Sequence, residues 1–339
     1  PKPDVGPYDA LCDLLYGATC SGTDQHLIAG RFPWPVKYPT VLGHESVGRV
    51  IRVGSQVRHF KVGDLISRVG APPAPDGSYY ANWGGFAEFG IAKDHQAMRE
   101  DGLDSASWCP YRIHQVIPPD IDPAAATMII TWRETLSYIT RLGSCSGLGS
   151  CSGMEVGADK RLLVVGSGGN GLAFVAHAKH AGVGPIVMVG NPARREIAQA
   201  AGADGYFDYK AADVLAQISK VYPQGFDFII DAVGKAETAN QILELLKPDG
   251  ILGIYGIDDY ASCHVHPHRA RGTFTFYNGG YDEAETHERV ITLIQSGELD
   301  ARLWLDIEHV FPLVEISNAF AAVKARAMVK ALVRLYEET

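Results

Sequence analysis

The sequence predicts an α/β fold: a doubly wound parallel sheet in the middle of the chain, flanked by a mainly β domain to which both ends contribute. Three observations point there. Between Arg161 and Phe276, short apolar runs alternate with helical stretches of about ten residues, the pattern of βαβ units whose strands are buried on both faces. A glycine-rich turn, Gly166-Ser-Gly-Gly-Asn-Gly171, directly follows the first of those runs. Residues 1–130, by contrast, hold short segments punctuated by Gly and Pro, which suits a compact mainly β domain. With 339 residues there is room for about two domains of ~150 residues. We place them at 1–135 (first part of the mainly β domain), 136–278 (the parallel-sheet unit) and 279–339 (a return to the first domain).

Taken in order, residues 47–53 alternate, Gly54 interrupts them, and 57–66 carry on through Gly63 and Asp64. In the middle, 161–166 read as a strand that stops in glycines, followed by a helix over 172–181 and a strand over 186–190. A helix over 193–201, a short strand over 206–209 and a helix over 211–221 come next. Strands over 227–233 and 250–255 enclose a helix over 236–246, and 273–276 make a sixth strand. Right-handed crossovers between such strands give the doubly wound arrangement. The tail, 283–335, holds two helical patterns and a last strand over 330–335. Residues 143–153 are nearly a tandem repeat of Gly, Ser and Cys, the composition of a flexible linker. Metal binding or a redox pair at Cys145 and Cys151 is the alternative.

Composition excludes several classes. Lys and Arg total 30 against 39 Asp and Glu, a net charge of −9, so the basic footprint that nucleic-acid binding needs is missing. No uncharged apolar run reaches the ~18 residues of a membrane span. The N-terminus, Pro1-Lys2-Pro3-Asp4, has neither a signal-peptide core nor an initiator Met, so the chain is expected to start inside its gene product. Six thinly spread cysteines are no disulfide framework, and a reducing cytoplasm is expected.

The glycine turn matches G-x-G-x-x-G between a strand and a helix. There Gly166, Gly168, Gly169 and Gly171 serve a tight turn, close approach of backbone to a pyrophosphate and close helix–strand packing, with Asn170 among them. The helix N-terminus offers unpaired N–H groups to phosphates. A tight βα turn with no ligand is the alternative. An NAD site places a carboxylate about 20 residues on, yet between Gly171 and Arg195 there is no acidic residue. The stretch instead carries Asn191, Arg194 and Arg195, which favours a 2′-phosphate and hence NADP, NAD remaining possible. Both arginines lying on a solvated helix face is the competing reading.

Upstream, Thr19-Cys20-Ser-Gly-Thr23-Asp24-Gln-His26 and Gly43-His44-Glu45 bring together cysteine, histidine and carboxylate, which are zinc-type ligands. Zinc polarises an alcohol oxygen, and Thr23 is placed to relay the alcohol proton towards His26 and solvent. Taken alone, a buried Cys is an inert small hydrophobe and a His-Glu pair a structural hydrogen bond.

Cys20 with Gly22-Thr23-Asp24, Gly43-His44-Glu45 with Gly48, Val62-Gly63-Asp64, Gly84-Gly85-Phe-Ala-Glu88 and the later glycine turn occur in the order found in zinc-containing medium-chain alcohol and polyol dehydrogenases. The chain resembles that family over nearly its whole length. The resemblance implies a GroES-like catalytic domain, a Rossmann domain, an active site in the cleft between them, and homodimers or homotetramers formed through the Rossmann sheets. It implies that Cys20 and His44 bind a catalytic zinc, that Glu45 binds it or sits beside it, and that Thr23 starts the proton relay. Three departures stand out. Ser21 and Gly22 intervene where the family has one residue after the Cys. In Met128-Ile-Ile-Thr-Trp-Arg-Glu134 the only carboxylate is Glu134, which is carried as the further zinc ligand against a structural ion pair. The four-cysteine lobe between Asp64 and Gly85 is absent, so no structural zinc is expected. His264, His266 and His268 read as a surface loop, and Trp83 and Trp132 as either cleft lining or core.

The expected activity is a zinc-dependent interconversion of a secondary alcohol, polyol- or sugar-like, and a ketone with NADP(H), with no nucleic-acid or membrane partner. The alternatives are a zinc-free medium-chain reductase of an activated double bond and a non-catalytic NADP(H)-binding protein.

Overall fold

The computed structural model describes residues 2–144, 159–259 and 261–336; Cys145 and Cys151 lie outside them. The chain divides into two units, Pro1–Arg133 with Glu283–Thr339, and Glu134–Asp282.

In the second unit six parallel strands run in the spatial order Gly205–Asp208, Ile186–Gly190, Leu162–Val165, Phe226–Asp231, Leu246–Ile254 and Phe274–Tyr277. Leu163, Val164, Val187, Met188, Ile229 and Ile230 are fully buried, as expected of strands covered on both faces. The order turns back between Leu162–Val165 and Phe226–Asp231, and the crevice beyond their carboxyl ends is where a doubly wound sheet binds its ligand. Helix Gly169–His180 leaves from that point.

Element boundaries differ from the sequence reading for local reasons. The strand expected over 227–233 ends at Asp231, because Asp231 Oδ1 accepts from the backbone N–H of Val233 and Gly234, both at 2.9 Å, and folds the chain into a turn. The helix expected from residue 193 starts at Arg195, since Asn191 Oδ1 caps a 3₁₀ turn that includes Pro192.

The first unit holds a seven-stranded sheet in the order Leu305–Pro312, Lys330–Arg334, Asp9–Ala18, Glu45–Val53, Leu65–Ser67 and Val116–Ile117, with Phe89–Lys93 also pairing Asp9–Ala18. The last strand thus returns to pair with the first. Two expectations are corrected. Of residues 57–66 only the end is strand (Leu65–Ser67): Asp94 Oδ2 takes the N–H groups of Arg58 and His59, and Gly63 turns at φ 95°. The strand Leu305–Pro312 was not expected; its pairing shifts register between Leu305 and Val310, which blurs the alternation.

Register is what builds the site. Ala18, the last residue of its strand, pairs with Glu45 on one side and Leu332 on the other. Cys20, Glu45 and Lys330 are therefore brought to one end of one sheet, although they lie at opposite ends of the sequence.

Candidate active site

At that sheet end, ligand atoms of Cys20, His44 and Glu45 all lie within 4.8 Å of one another, and all three residues are buried. Asp24, fully buried, accepts from the Cys20 backbone N–H through Oδ2 at 2.8 Å and places Oδ1 4.0 Å from His44 Nδ1. The extra residue after Cys20 is absorbed in a turn before helix Thr23–Ile28, so Cys20 still joins the cluster. Thr23 opens that helix and His26, also buried, follows one turn later on the same side.

Lys330 was not read as part of the site. Its ammonium donates to both Glu45 oxygens, at 2.6 and 2.5 Å, and to the Thr19 carbonyl at 3.3 Å, with 2% of the residue exposed. Thr131 Oγ1 donates to Glu45 Oε1 at 2.9 Å. Of a carboxylate's about four lone-pair positions Lys330 and Thr131 take three, and His44 Nε2 stands 3.5 Å from Oε1. Burial by itself would push the Glu45 carboxyl up, but Lys330 and then His44 hold it down at about 2. Burial likewise opposes charge on His44, yet its hydrogen bonds to Cys20 and Glu45 keep the imidazolium well above its ordinary pKa. Asp24 goes the other way, pushed up to about 6 by burial, with His44 offsetting part of that.

One wall of the cluster is aromatic. The Trp83 ring lies 5.2 Å from the His44 ring, with Phe32 edge-on to it at 5.9 Å and Trp34 5.0 Å from Phe32. Glycines make this approach possible. Gly85 N donates to the Gly43 carbonyl at 2.7 Å, and a Cβ on Gly43 would stand 2.7 Å from the Phe86 nitrogen. The Gly43 and Gly84-Gly85 motifs thus staple the Trp83 loop to the His44 loop. Trp83 takes a left-handed conformation, φ 65°, which costs a non-glycine residue ~1–2 kcal/mol. Arg68, also left-handed at φ 60°, sets its guanidinium 5.9 Å over the Trp83 ring and pairs with Glu283 at 2.9 Å. Glu283 also meets the fully buried Arg133 at 2.7 Å.

In the second unit the glycine turn has the predicted shape. Gly166 sits at φ 111°, and a Cβ on Gly171 would fall 1.8 Å from the Gly166 carbonyl oxygen. Gly168 precedes helix Gly169–His180 without a side-chain cap, and a helix N-terminus in this position favours an anion. Asn191 donates its N–H to Ser167 Oγ at 2.9 Å, fastening the end of the second strand to the turn. The two arginines separate here. Arg195 donates to the Tyr206 carbonyl at 3.1 Å and lies over the Tyr206 ring at 5.1 Å, while Arg194 stands in the Asn191-capped turn.

Glu134 is not in the three-residue cluster. It belongs to the other unit, where its Oε2 accepts from the Tyr255 hydroxyl at 3.2 Å. Trp132 packs edge-on against Trp304 at 5.5 Å with 1% exposed, a core residue, whereas Trp83 is 39% exposed. His264 pairs with Glu237 at 2.8 Å on the surface, and His266 and His268 flank Pro267 in an exposed loop.

Sequence comparison agrees with this geometry. Residues 6–101 match the family profile described as "Alcohol dehydrogenase GroES-like domain", and residues 169–290 the one described as "Zinc-binding dehydrogenase". The chain is 30% identical over 264 residues to an NADP-dependent isopropanol dehydrogenase of Thermoanaerobacter brockii, covering 74% of this chain and 69% of that protein. The chain belongs to the zinc-type medium-chain alcohol dehydrogenases. An alcohol dehydrogenase of Cupriavidus necator is 28% identical over 345 residues, 94% of this chain and 89% of the relative. Among solved structures, benzyl alcohol dehydrogenase from Acinetobacter calcoaceticus superposes with a TM-score of 0.77 at 17% identity, covering 98% of this chain and 93% of that one, a likeness of fold. This medium-chain dehydrogenase is accordingly an NAD(P)-dependent alcohol dehydrogenase acting on small-molecule alcohols and ketones. No helix among the described residues is long and apolar enough to cross a membrane.

Proposed function

We propose that this dehydrogenase interconverts a secondary alcohol and a ketone with NADP(H) at one catalytic zinc held by Cys20, His44 and Glu45. The observation that carries the reading is the buried cluster of one sulfur, one imidazole and one carboxylate, a donor set that suits zinc. Zinc would supply a Lewis acid for the alcohol oxygen, and NADP a hydride acceptor. The chain's own part is to position and to move protons. Cys20 and His44 fix the site, Asp24 holds the Cys20 backbone N–H and stands 4.0 Å from His44, and Lys330 holds Glu45 ionised. Thr23 takes the hydroxyl proton and passes it towards His26, three residues along the same helix. We keep Glu134 as a candidate further ligand.

Gly166, Gly168, Gly169, Asn170 and Gly171 receive the pyrophosphate, and Asn191, Arg194 and Arg195 frame the 2′-phosphate end. Arg194, in the Asn191-capped turn at the end of the second strand, is the one assigned to the phosphate. A charge-assisted contact of ~1.5–3 kcal/mol corresponds to roughly 10–100-fold in affinity. Arg194→Ala is thus expected to lower kcat/KM for NADP by about that factor, with less change for NAD, and Arg195→Ala to act less selectively. Equal losses for both cofactors in Arg194→Ala would refute the assignment.

The whole reading is tested on the purified protein by metal analysis and by following hydride transfer from secondary alcohols to NADP. We expect about one zinc per chain and loss of alcohol oxidation on chelation. Since His44 is held as an imidazolium, metal must displace that proton, so zinc affinity is expected to fall as pH drops from 8 to 6. Activity that survives complete zinc removal, on an activated double bond rather than an alcohol, would favour the zinc-free reductase. Cofactor binding with no turnover on a broad panel would favour a binding protein.

A further inference from the structure

We propose that the wall formed by Trp83, Trp34 and Phe32 is an aryl subsite, so that the alcohol carries a planar aromatic group on its carbinol carbon. The inference rests on the alcohol dehydrogenase reading and deepens it.

The wall touches the reaction centre directly, since the Trp83 ring is 5.2 Å from that of the candidate zinc ligand His44. It is open to a ligand: Trp83 is 39% and Trp34 54% exposed, although aromatic rings of this size are ordinarily drawn into a core. Trp83 is also held there against its backbone preference. Its left-handed φ of 65° persists because Gly70 and Gly84 let the neighbouring strands close in, a Cβ on Gly70 falling 1.7 Å from the Trp83 carbonyl oxygen. Strain maintained beside a reacting centre by a surrounding frame marks a position under functional constraint.

Chemistry separates the ligand classes. A linear polyol would need hydrogen-bond acceptors along this wall for its several hydroxyls, and the three rings offer faces, edges and indole N–H donors but no acceptor. A carboxylate-bearing alcohol would look to Arg68, the cation beside Trp83, but that guanidinium already pairs with Glu283 at 2.9 Å. Lying over the Trp83 ring, it serves to hold the indole. Offset or edge-on stacking then favours a flat π-system over a saturated ring of the same size. The polyol-like substrate suggested by sequence resemblance is thereby replaced with an aryl carbinol.

The test compares acetophenone with cyclohexyl methyl ketone, which has the same carbon skeleton without the flat ring, in reduction by the zinc-loaded enzyme with NADPH. Calorimetric binding of each ketone to the enzyme saturated with NADP+ runs in parallel. We expect acetophenone to be favoured about tenfold in kcat/KM and in binding, a factor of about 1.4 kcal/mol. Trp83→Leu should bring that ratio near unity, Trp34→Ala should reduce it, and Trp83→Phe should retain most of it. Equal kinetics and binding for the two ketones, or a ratio unmoved by both Trp83→Leu and Trp34→Ala, would overturn the aryl subsite. Turnover of neither ketone would overturn the dehydrogenase reading instead, while selective calorimetric binding of acetophenone would still support the aromatic wall.

Discussion

His44→Gln is expected to lower alcohol oxidation by a factor of about 10³ and to abolish stoichiometric zinc, while NADP still binds. The magnitude follows from a Lewis acid worth several kcal/mol in charge stabilisation, at about 1.4 kcal/mol for each factor of ten. Glutamine keeps the bulk next to Trp83 and Glu45 but removes the imidazole ligand and its positive charge. Asp24, already pushed up to about 6 by burial, loses the charge that partly offsets that burial and should rise further. A carboxyl whose folded pKa exceeds its unfolded value of ~3.9 contributes stability below that value and loses it as pH rises through the folded pKa. Loss of the imidazolium works the other way, since a His44 pKa held above its ordinary value stabilises the parent below ~6.5. The two shifts oppose each other, so zinc content and rate are the readouts for this variant. Zinc analysis, cofactor titration and steady-state rates decide the matter; a His44→Gln enzyme with bound zinc and a rate within tenfold of the parent would remove His44 from the site.

The second large effect belongs to Lys330. Lys330→Met takes away one half of a buried pair and leaves Glu45 ionised at 2% exposure, a change that typically costs ~3–5 kcal/mol. In the parent, Glu45 titrates at about 2, below an unfolded carboxyl at ~4.3, so its contribution is present above that value and lost as pH falls through about 2. In Lys330→Met only His44 and Thr131 oppose burial, so the folded pKa climbs and acidification should relieve part of the loss. Adding Glu45→Gln to Lys330→Met should restore most of the stability, because an amide can still accept from Thr131 without an unpaired charge. A single variant as stable as the parent at pH 7 would mean that the pair does not hold Glu45.

What could be read from sequence was whatever rests on neighbours in the chain. The alternating strands and helices from Leu162 to Tyr277 declare themselves through apolar runs, and the Gly166–Gly171 turn through spacing. Helix Met128–Ser144 escaped because Thr131, Arg133, Thr135 and Ser137 are buried polar residues, so its two faces do not differ in the usual way. Lys330 escaped because nothing near it in sequence distinguishes it from a lysine at the start of an exposed strand. Only the shared register at Ala18 brings it to Glu45. Trp83 and Arg68 were invisible as left-handed residues, since neither is Gly, Asn or Asp, and it is close packing around Gly70 and Gly84 that forces the conformation.

The span between Glu45 and its partner Lys330, 285 residues, sets a schedule for biosynthesis. At ~5–20 residues per second, a ribosome that has finished Glu45 needs roughly 15–60 s more to make Lys330. Throughout that interval the nascent sheet lacks both its closing strand and the cation that neutralises Glu45, and in its last part the six strands between Leu162 and Tyr277 are already synthesised. The inserted unit can thus fold while the unit around it waits for its last strand. The three candidate ligands, Cys20, His44 and Glu45, are thus made within the first 45 residues, while the cation that neutralises Glu45 joins them last.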